Sequence, residues 1–318
     1  MSRIVITGAA GFIGSHVTDL MIQQGHEILA LDNLSFGRLE QLNKAAEFWR
    51  IDLGGVAYDV LAERMAAFRP RHVIHLAAVH FIPYCMAHPE ETFASNTRST
   101  AALIHAISKT DSIHRLVVAS TMDVYGPSHA VNHETDTPSP RNVYGLSKLL
   151  TEHTAKYAAA TIDNLTAVCC RFANVYGPRE TNSHLIPDTL ERIKNPTTPE
   201  IRMGNLAGSR DFIHVTDVAK AVAMLTTTPT RDFDIFNLGS GIAQPLRKVV
   251  ELLRDAAGDP RKIVEDVTKF RKFDRASLTP SIKKILKETD WRPTVAIEDG
   301  LRRLVESSES ADPVGKEP

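Results

Sequence analysis

A tyrosine and a lysine lie four residues apart in the segment NVYGLSKLL (142–150). The segment has a helical pattern, and residues four apart share one face of a helix, so Tyr144 and Lys148 are expected to lie side by side. A tyrosine has an ordinary pKa of about 10, too high for a base at neutral pH, but a neighbouring ammonium group favours the phenolate. The pair predicts a tyrosine base assisted by a lysine. The alternative is an ordinary aromatic–lysine pair on a solvated helix.

The segment VVASTMDVYG (117–126) begins as a buried strand and ends in two polar groups. Thr121 offers a hydroxyl at the end of the strand, where it can hydrogen-bond the same substrate oxygen as Tyr144. Asp123 offers a carboxylate that is costly to desolvate beside a pocket, which predicts a chemical role. The alternative is that Asp123 caps the following turn or binds a substrate hydroxyl.

The segment TGAAGFIGSH (7–16) joins a strand to a helix through glycines at 8, 11 and 14. Such glycines allow a tight turn and the close approach of a pyrophosphate to the helix N-terminus, although helix packing alone also uses them. Asp32 ends the second strand, where an acid accepts the ribose hydroxyls and repels a 2′-phosphate. We therefore predict NAD rather than NADP, although Arg38 lies near. The predicted cofactor contacts are Gly8, Gly11, Phe12, Ile13, Gly14, Asp32, Asn33, Asp52, Leu53, Leu76, Ala77, Ala78, Tyr144 and Lys148.

Short apolar runs alternate with longer amphipathic segments in the first half of the chain. We predict strands at 3–8, 27–32, 48–53, 72–78, 115–120 and 165–172, and helices near 12–24, 57–68, 90–109 and 142–160. Apolar strands separated by helices indicate a parallel sheet covered on both faces. The fold class is therefore α/β, with a doubly wound Rossmann domain.

The pattern changes after about residue 173, where prolines interrupt the chain and the strands become shorter. We predict a smaller α/β lobe for substrate binding over 174–212 and 238–306, with helices near 245–257, 281–288 and 298–307. The Rossmann domain then covers 1–173 and is completed by about 213–237. The polar segment 307–318 is predicted to be a frayed tail.

Composition excludes several classes of protein. The net charge of −1 offers no basic surface for nucleic acid or an anionic membrane. We predict no metal site, because the 13 histidines show no ligand spacing. Three cysteines, two of them adjacent, argue against a disulfide framework. With a strand beginning at once and no apolar run of membrane-spanning length, we expect a cytoplasmic protein without a signal peptide.

An ordered series of motifs resembles the extended short-chain dehydrogenase/reductase family, in its nucleotide-sugar epimerase/dehydratase branch. The motifs are TGAAGFIGSH, HLAA, STMDVYG, YxxxK, RFANVYGPR, RDFIHVTDVA and FNLGSG, spanning residue 1 to about 305. The resemblance implies a nucleotide-diphosphate sugar substrate, a tyrosine that takes the 4-hydroxyl proton, and hydride transfer from C4 to tightly held NAD. Epimerases return the hydride to the other face of the sugar, whereas dehydratases use the 4-ketone to acidify C5 and expel O6.

The resemblance also implies substrate contacts. Asn174 would contact the diphosphate or sugar, and Arg210 and Arg271 would bind the diphosphate and nucleoside end. His80 and Cys85 would line the sugar pocket, with Met122 at its mouth. The same resemblance implies a homodimer formed by a four-helix bundle of the helices near 90–109 and 142–160.

One acid position distinguishes the reactions within the branch. Dehydratases carry the eliminating acid at the position of Asp123, and many carry a second acid where this chain has Met122. In having a single acid at these two positions, the chain is similar to the UDP-GlcNAc 5,6-dehydratases of tunicamycin-type antibiotic biosynthesis. We therefore predict an NAD-dependent nucleotide-sugar dehydratase acting by transient C4 oxidation and C5–C6 elimination. The alternative is a UDP-sugar 4-epimerase, and a remote alternative is a non-catalytic NAD-sensing module.

Overall fold

Thirteen strands are found in the part of the chain that the computed structural model describes, which is residues 1–126, 131–180, 182–195, 197–269 and 277–309. In chain order they are β1 (Arg3–Thr7), β2 (Glu27–Asp32), β3 (Glu47–Arg50), β4 (His72–His75), β5 (Arg115–Thr121), β6 (Thr166–Phe172), β7 (Asn174–Tyr176), β8 (Glu200–Met203), β9 (Ser209–His214), β10 (Phe233–Leu238), β11 (Ala243–Pro245), β12 (Lys262–Glu265) and β13 (Ser277–Leu278).

The helices lie between these strands. In chain order they are α1 (Phe12–Gln23), α2 (Tyr58–Phe68), α3 (Ile82–Ala87), α4 (Pro89–Phe93), α5 (Ser99–Ser108), α6 (Val143–Thr161), α7 (Leu185–Lys194), α8 (Val215–Thr227), α9 (Leu246–Ala256), α10 (Lys283–Glu288) and α11 (Ile297–Glu309). None of the helices in the described ranges is both long and apolar enough to cross a membrane.

The main sheet has seven strands in the order β10-β6-β5-β4-β1-β2-β3, and every neighbouring pair is parallel. Apart from the edge strand β3, its strands are largely buried on both faces, as a parallel sheet covered by helices requires. The predicted doubly wound α/β fold is confirmed. The strand order reverses between β1 and β4, and this is where an open α/β sheet leaves a crevice at the carboxyl ends of its strands.

Helices cover both faces of this sheet. On one face α1 packs against α8, and side chains such as Val17 and Val222 join the core formed by Ile4 and Ile6 of β1. On the other face α2, α5 and α6 pack around alternate strand residues, and Leu103 and Ala155 belong to this second core. By packing against the two faces of the sheet, the two cores hold in place the strand ends that carry polar groups.

The predicted helix at 90–109 is interrupted. A π-helical turn at Ala94–Arg98 separates α4 from α5. Asn96, wholly buried in this turn, donates through Nδ2 to the carbonyl oxygen of Val79 (2.9 Å) and to Oγ of Ser147 (2.9 Å), and its Oδ1 accepts from the amide of Val79 (2.7 Å). Wider π turns of this kind often mark functional sites. This one ties the loop after β4 to α6, which carries Tyr144.

The second part of the chain forms two small sheets and a helical cluster. β9 pairs with β7, β11 and β13, while β8 pairs with β12. Helices α7, α9 and α11 pack around a core that includes Tyr176, Val249 and Leu301. Because β10 returns to the main sheet beside β6, we keep the predicted division into a Rossmann domain and an interleaved substrate lobe as a proposal. Residues 310–318 of the predicted tail lie outside the described ranges, and residues 307–309 belong to α11.

Candidate active site

A cavity of about 1240 Å³ opens at the carboxyl ends of the main sheet. Its walls come from the strand ends of the Rossmann part and from the lobe that follows β6. All of the predicted cofactor contacts lie on this wall, namely Gly8, Gly11, Phe12, Ile13, Gly14, Asp32, Asn33, Asp52, Leu53, Leu76, Ala77, Ala78, Tyr144 and Lys148. The structure therefore brings the predicted cofactor residues together in one space.

The glycine turn needs its glycines. Gly8 has φ +68°, and a Cβ there would lie 2.7 Å from the amide nitrogen of Ala77. A Cβ on Gly14 would clash with the carbonyl oxygen of Gly8, because α1 starts directly against the turn. The absence of these side chains leaves backbone close to the cavity at the N-terminus of α1, which is the place that suits a pyrophosphate.

Asp32 lies at the end of β2 and is 8% exposed. Its Oδ1 accepts from the amide of Leu34 (2.8 Å) and its Oδ2 from the amide of Ala10 (3.0 Å). Burial raises the pKa of this carboxyl, and the hydrogen bonds from Leu34 and Ala10 oppose that rise. Gly37 leaves room for the carboxylate, because a Cβ there would be 2.9 Å from Oδ1. The acid is thus held rigidly where a ribose would lie.

The predicted catalytic residues meet at the end of β5. The amide of Asp123 donates to Oγ1 of Thr121 (3.1 Å), and Oγ1 of Thr121 lies 3.4 Å from Oδ2 of Asp123. Nδ2 of Asn142 donates to Oδ1 of Asp123 (3.0 Å), and Oδ1 of Asn142 caps α6 at the amide of Gly145 (2.7 Å). One asparagine therefore links the Asp123 carboxylate to the start of the helix that carries Tyr144.

Sequence reasoning missed Asn142, although a signal was present. An asparagine immediately before a helical pattern is a common N-cap, and Asn142 stands two residues before the tyrosine.

Burial is the largest influence on the electrostatics of Tyr144. Tyr144 faces the cavity in a site enclosed by protein, and burial raises its pKa. The Asp123 carboxylate raises this pKa further, and a hydrogen bond with Thr121 lowers it.

Lys148 is 1% exposed, and burial lowers its pKa to about 8. Within the part of the chain that the structure describes, its Nζ has no hydrogen-bond partner. A buried polar atom without a partner is costly, and a ligand that supplies acceptor oxygens removes the cost. The ribose hydroxyls of a dinucleotide fit this requirement. Together with the glycine turn and Asp32, the orphaned Nζ shows that the residues present fit NAD.

The predicted substrate residues have different placements. His80, Met122, Asn174 and Arg210 lie on the cavity wall. Nδ2 of Asn174 donates to the carbonyl oxygen of Asp211 (3.0 Å). Arg271 lies outside the described residues.

Cys85 does not line the cavity, which differs from the expectation. Its side chain is wholly buried, and its thiol donates to the carbonyl oxygen of Val79 (3.5 Å) because α3 turns it toward the protein interior. The short helix α3 was not predicted.

A buried ion pair supports the strand end from behind. The Arg171 guanidinium donates to both carboxylate oxygens of Glu152 (2.8 and 2.7 Å), and Oγ of Ser120 donates to Oε1 of Glu152 (2.5 Å). Nη1 of Arg171 also donates to the hydroxyl of Tyr125 (2.7 Å). Glu152 is one helical turn after Lys148 and raises the pKa of the lysine against the larger effect of burial. No pattern in the sequence separated this pair from surface charges.

The fold and this site are typical of an NAD-binding enzyme with a Rossmann domain. A model of the NAD dependent epimerase/dehydratase family matches residues 4–239, and the chain belongs to that family. The predicted family and the predicted NAD cofactor are thereby confirmed.

Curated relatives and solved structures extend the likeness over nearly the whole chain. UDP-glucose 4-epimerases of Corynebacterium glutamicum (31% identity, 96% of this chain and 94% of the relative) and Streptomyces lividans (30%, 92% and 92%) are similar to it. The UDP-glucose 4-epimerase of Thermotoga maritima, solved with UDP-glucose, superposes with a TM-score of 0.90 at 28% identity, covering 97% and 99% of the two chains. A UDP-N-acetylglucosamine 4-epimerase from Methanobrevibacter ruminantium, solved with UDP-N-acetylmuramic acid, gives 0.88 at 26%, covering 97% and 98%. These names favour the predicted alternative, epimerisation, over the dehydratase that we predicted first.

Proposed function

We propose that this protein is an NAD-dependent UDP-sugar 4-epimerase. The observation that carries the proposal is the likeness, over more than nine-tenths of the chain, to proteins named as UDP-glucose 4-epimerases. The hydrogen bonds of Asp123 to Asn142 and Thr121 support it, because they give the carboxylate a structural role at the start of α6. This is the alternative that sequence analysis left open for Asp123.

Thr121 and Tyr144 hold the reacting hydroxyl. Both lie on the cavity wall, and a sugar 4-hydroxyl between them can donate to the tyrosine while accepting from the threonine. NAD, when bound, would supply hydride transfer from and back to C4, and its oxidised form would supply a positive charge that favours the phenolate. Burial and Asp123 keep Tyr144 protonated in the protein alone, so deprotonation is favoured only when cofactor and substrate are both in place.

Lys148 orients the cofactor. Its buried Nζ could donate to the ribose hydroxyls of NAD and so hold the cofactor in the cavity that Tyr144 also lines. At pH 7, below its pKa of about 8, most of the Lys148 population is charged.

The substrate diphosphate is assigned to the lobe side of the cavity, where Arg210 lies on the wall. The planar guanidinium suits phosphate oxygens.

A dehydratase is the second candidate, and the carboxylate of Asp123 on the cavity wall favours it. The two candidates predict different results for Asp123→Asn. In a 4-epimerase the amide keeps the side-chain shape, and C4 inversion falls by less than about tenfold, because no proton transfer at C5 is lost. In a dehydratase the same substitution blocks loss of water.

The test of the proposal is C4 inversion of UDP-glucose and UDP-N-acetylglucosamine by the purified protein, followed by separation of the isomers. Tyr144→Phe should lower turnover by at least about two decades, the usual contribution of a proton-transfer group, and retain bound NAD. Tyr58→Phe is the control, since Tyr58 lies on α2 and does not line the cavity. No C4 isomer from any UDP-sugar with the wild-type protein contradicts the proposal.

A further inference from the structure

The chain between β7 and α7 connects two sides of the cavity that opens at the carboxyl ends of the main sheet. We call residues 177–180 and 182–184 the bridging segment. On one side, Nε2 of His16 lies 3.1 Å from the carbonyl oxygen of Pro178, and Nη1 of Arg179 lies 2.8 Å from Oδ2 of Asp19. His16 and Asp19 belong to α1, which begins at the glycine turn. The bridging segment is therefore attached beside the pyrophosphate position.

The opposite attachment is on the loop after β4. Nδ2 of Asn182 lies 3.1 Å from Nε2 of His80. The ring of His184 packs 5.9 Å from that of His80 and 5.8 Å from that of Phe81, measured between centroids. Since α1 covers one face of the sheet and the loop after β4 leads to the other, the bridging segment crosses above the strand ends. A dinucleotide along those ends lies beneath it.

Glu180 occupies the middle of this crossing, between Arg179 and Asn182. Its side chain is 5% exposed, and the residue lies on the cavity wall. Within the described ranges, the polar group nearest to its carboxyl is Nε2 of His184, at 3.7 Å from Oε1. This distance is too long for a hydrogen bond. A largely buried carboxyl group with no close protein partner, on the wall of a ligand cavity, can take a hydrogen-bond partner from the ligand.

We propose that Glu180 is a cofactor-binding residue, which as a neutral carboxyl donates a hydrogen bond to a phosphate or ribose oxygen of the bound dinucleotide. Burial raises the pKa of Glu180 to about 8, so the group is mostly protonated at pH 7 and can donate. An ionised carboxylate at the same place would repel the diphosphate. The inference rests on membership of the NAD-dependent family and does not depend on which reaction follows at C4.

Several charged or titratable groups lie on the bridging segment and on the elements that it contacts. From its own segment they are Arg179 and His184, from α1 His16 and Asp19, from the loop after β4 His80, and from α7 Asp188 and Arg192. Burial lowers the pKa of both His16 and His80, so both are mostly neutral above pH 7. Arg179 is paired with Asp19, and Arg192 lies 3.8 Å from Asp188. Glu180 and Lys148, with pKa values of about 8, are therefore the groups expected to change charge between pH 7 and 9.

The test measures release of NADH from the loaded protein, followed by its fluorescence after addition of excess NAD. At pH 7 we expect Glu180→Ala to release NADH at least about tenfold faster, equivalent to about 1.4 kcal/mol. Glu180→Gln keeps a neutral donor and should stay within about threefold of the wild type. Between pH 7 and 9, the rate of NADH release should rise at least about fivefold more for the wild type than for Glu180→Gln, because only the wild type gains a carboxylate there. Lys148 titrates in both proteins, so its effect cancels in this comparison.

The outcomes separate the possibilities. Equal pH dependence in the wild type and Glu180→Gln overturns the proposal, and this arm holds even if the alanine variant fails to fold. If Glu180→Ala leaves NADH release unchanged but weakens UDP-glucose binding in calorimetry, Glu180 contacts the substrate instead. This result also overturns the proposal. If NADH release follows the expected pattern but the wild-type protein does not invert C4 of any UDP-sugar, the proposed function is contradicted and the inference about Glu180 is supported.

Discussion

Replacement of Lys148 by methionine should stabilise the cofactor-free protein while abolishing its function. Burial lowers the pKa of Lys148 from its usual 10.5 to about 8, and its Nζ has no partner among the described residues. At about 1.4 kcal/mol for each tenfold change in proton affinity, holding the charged lysine in the folded protein costs about 3 kcal/mol. Methionine has a similar length and no charge, so Lys148→Met should recover most of this free energy at pH 7.

The sign of the pH dependence follows from the lowered pKa. Below pH 8 the lysine is protonated in both the folded and unfolded states, and the full cost of burying the charge is present. Between pH 8 and 10.5 the unfolded chain binds more protons than the folded protein, so wild-type stability gains from rising pH. The advantage of Lys148→Met should therefore be largest at or below pH 7 and shrink through this interval.

The assay is thermal and urea unfolding of cofactor-free proteins at pH 7 and pH 9.5. For a chain of this length, about 3 kcal/mol corresponds to a rise in Tm of about 5 °C. Lys156→Met is the matched control, because Lys156 is exposed on the same helix, and it should change stability by less than about 0.5 kcal/mol. A Lys148→Met protein that is less stable than the wild type at pH 7, or whose advantage does not depend on pH, refutes the reasoning.

Three further predictions concern the ion pair, the cofactor and assembly. Glu152→Gln leaves the Arg171 guanidinium buried without its carboxylate and should cost about 3–5 kcal/mol in urea unfolding; a loss below about 1 kcal/mol would show that the pair is dispensable. Asp32→Ala should weaken NAD binding and narrow the preference over NADP in fluorescence titrations, and unchanged selectivity would remove Asp32 from the ribose site. Leu150 and Tyr157 are exposed on α6, where we propose the homodimer contact, so Leu150→Glu should convert a dimer to a monomer in light scattering at micromolar protein. A wild-type monomer under these conditions would contradict the dimer.

The elements that position the site could be predicted because their patterns are local. The apolar runs that became β1, β2, β4, β5 and β6 are buried on both faces, and a fully buried strand needs no partner from distant sequence to be recognised.

The interruption of the helix at 94–98 could not be predicted. It depends on Asn96 reaching Val79 and Ser147, which are distant in sequence.

The residues of the site also divide into those that local motifs predict and those whose properties depend on contacts with distant residues. The glycine turn and the tyrosine–lysine spacing are local motifs, and both lie on the cavity wall. The raised pKa of Tyr144 depends on burial and on Asp123. The role of Glu180 depends on a crossing that involves α1 and the loop after β4. These contacts join separate parts of the chain, and composition or spacing does not reveal them.

The most direct measurement is the mass and isomeric identity of the product formed from UDP-glucose and UDP-N-acetylglucosamine in deuterium oxide. A 4-epimerase produces a C4 isomer of unchanged mass with no deuterium at C5, because the hydride returns to C4 and the C5 proton is never removed. A dehydratase produces a compound lighter by one water. Mass spectrometry with proton NMR distinguishes the two in a single incubation. We expect the C4 isomer, and loss of water would contradict the proposed function and restore a catalytic role for Asp123.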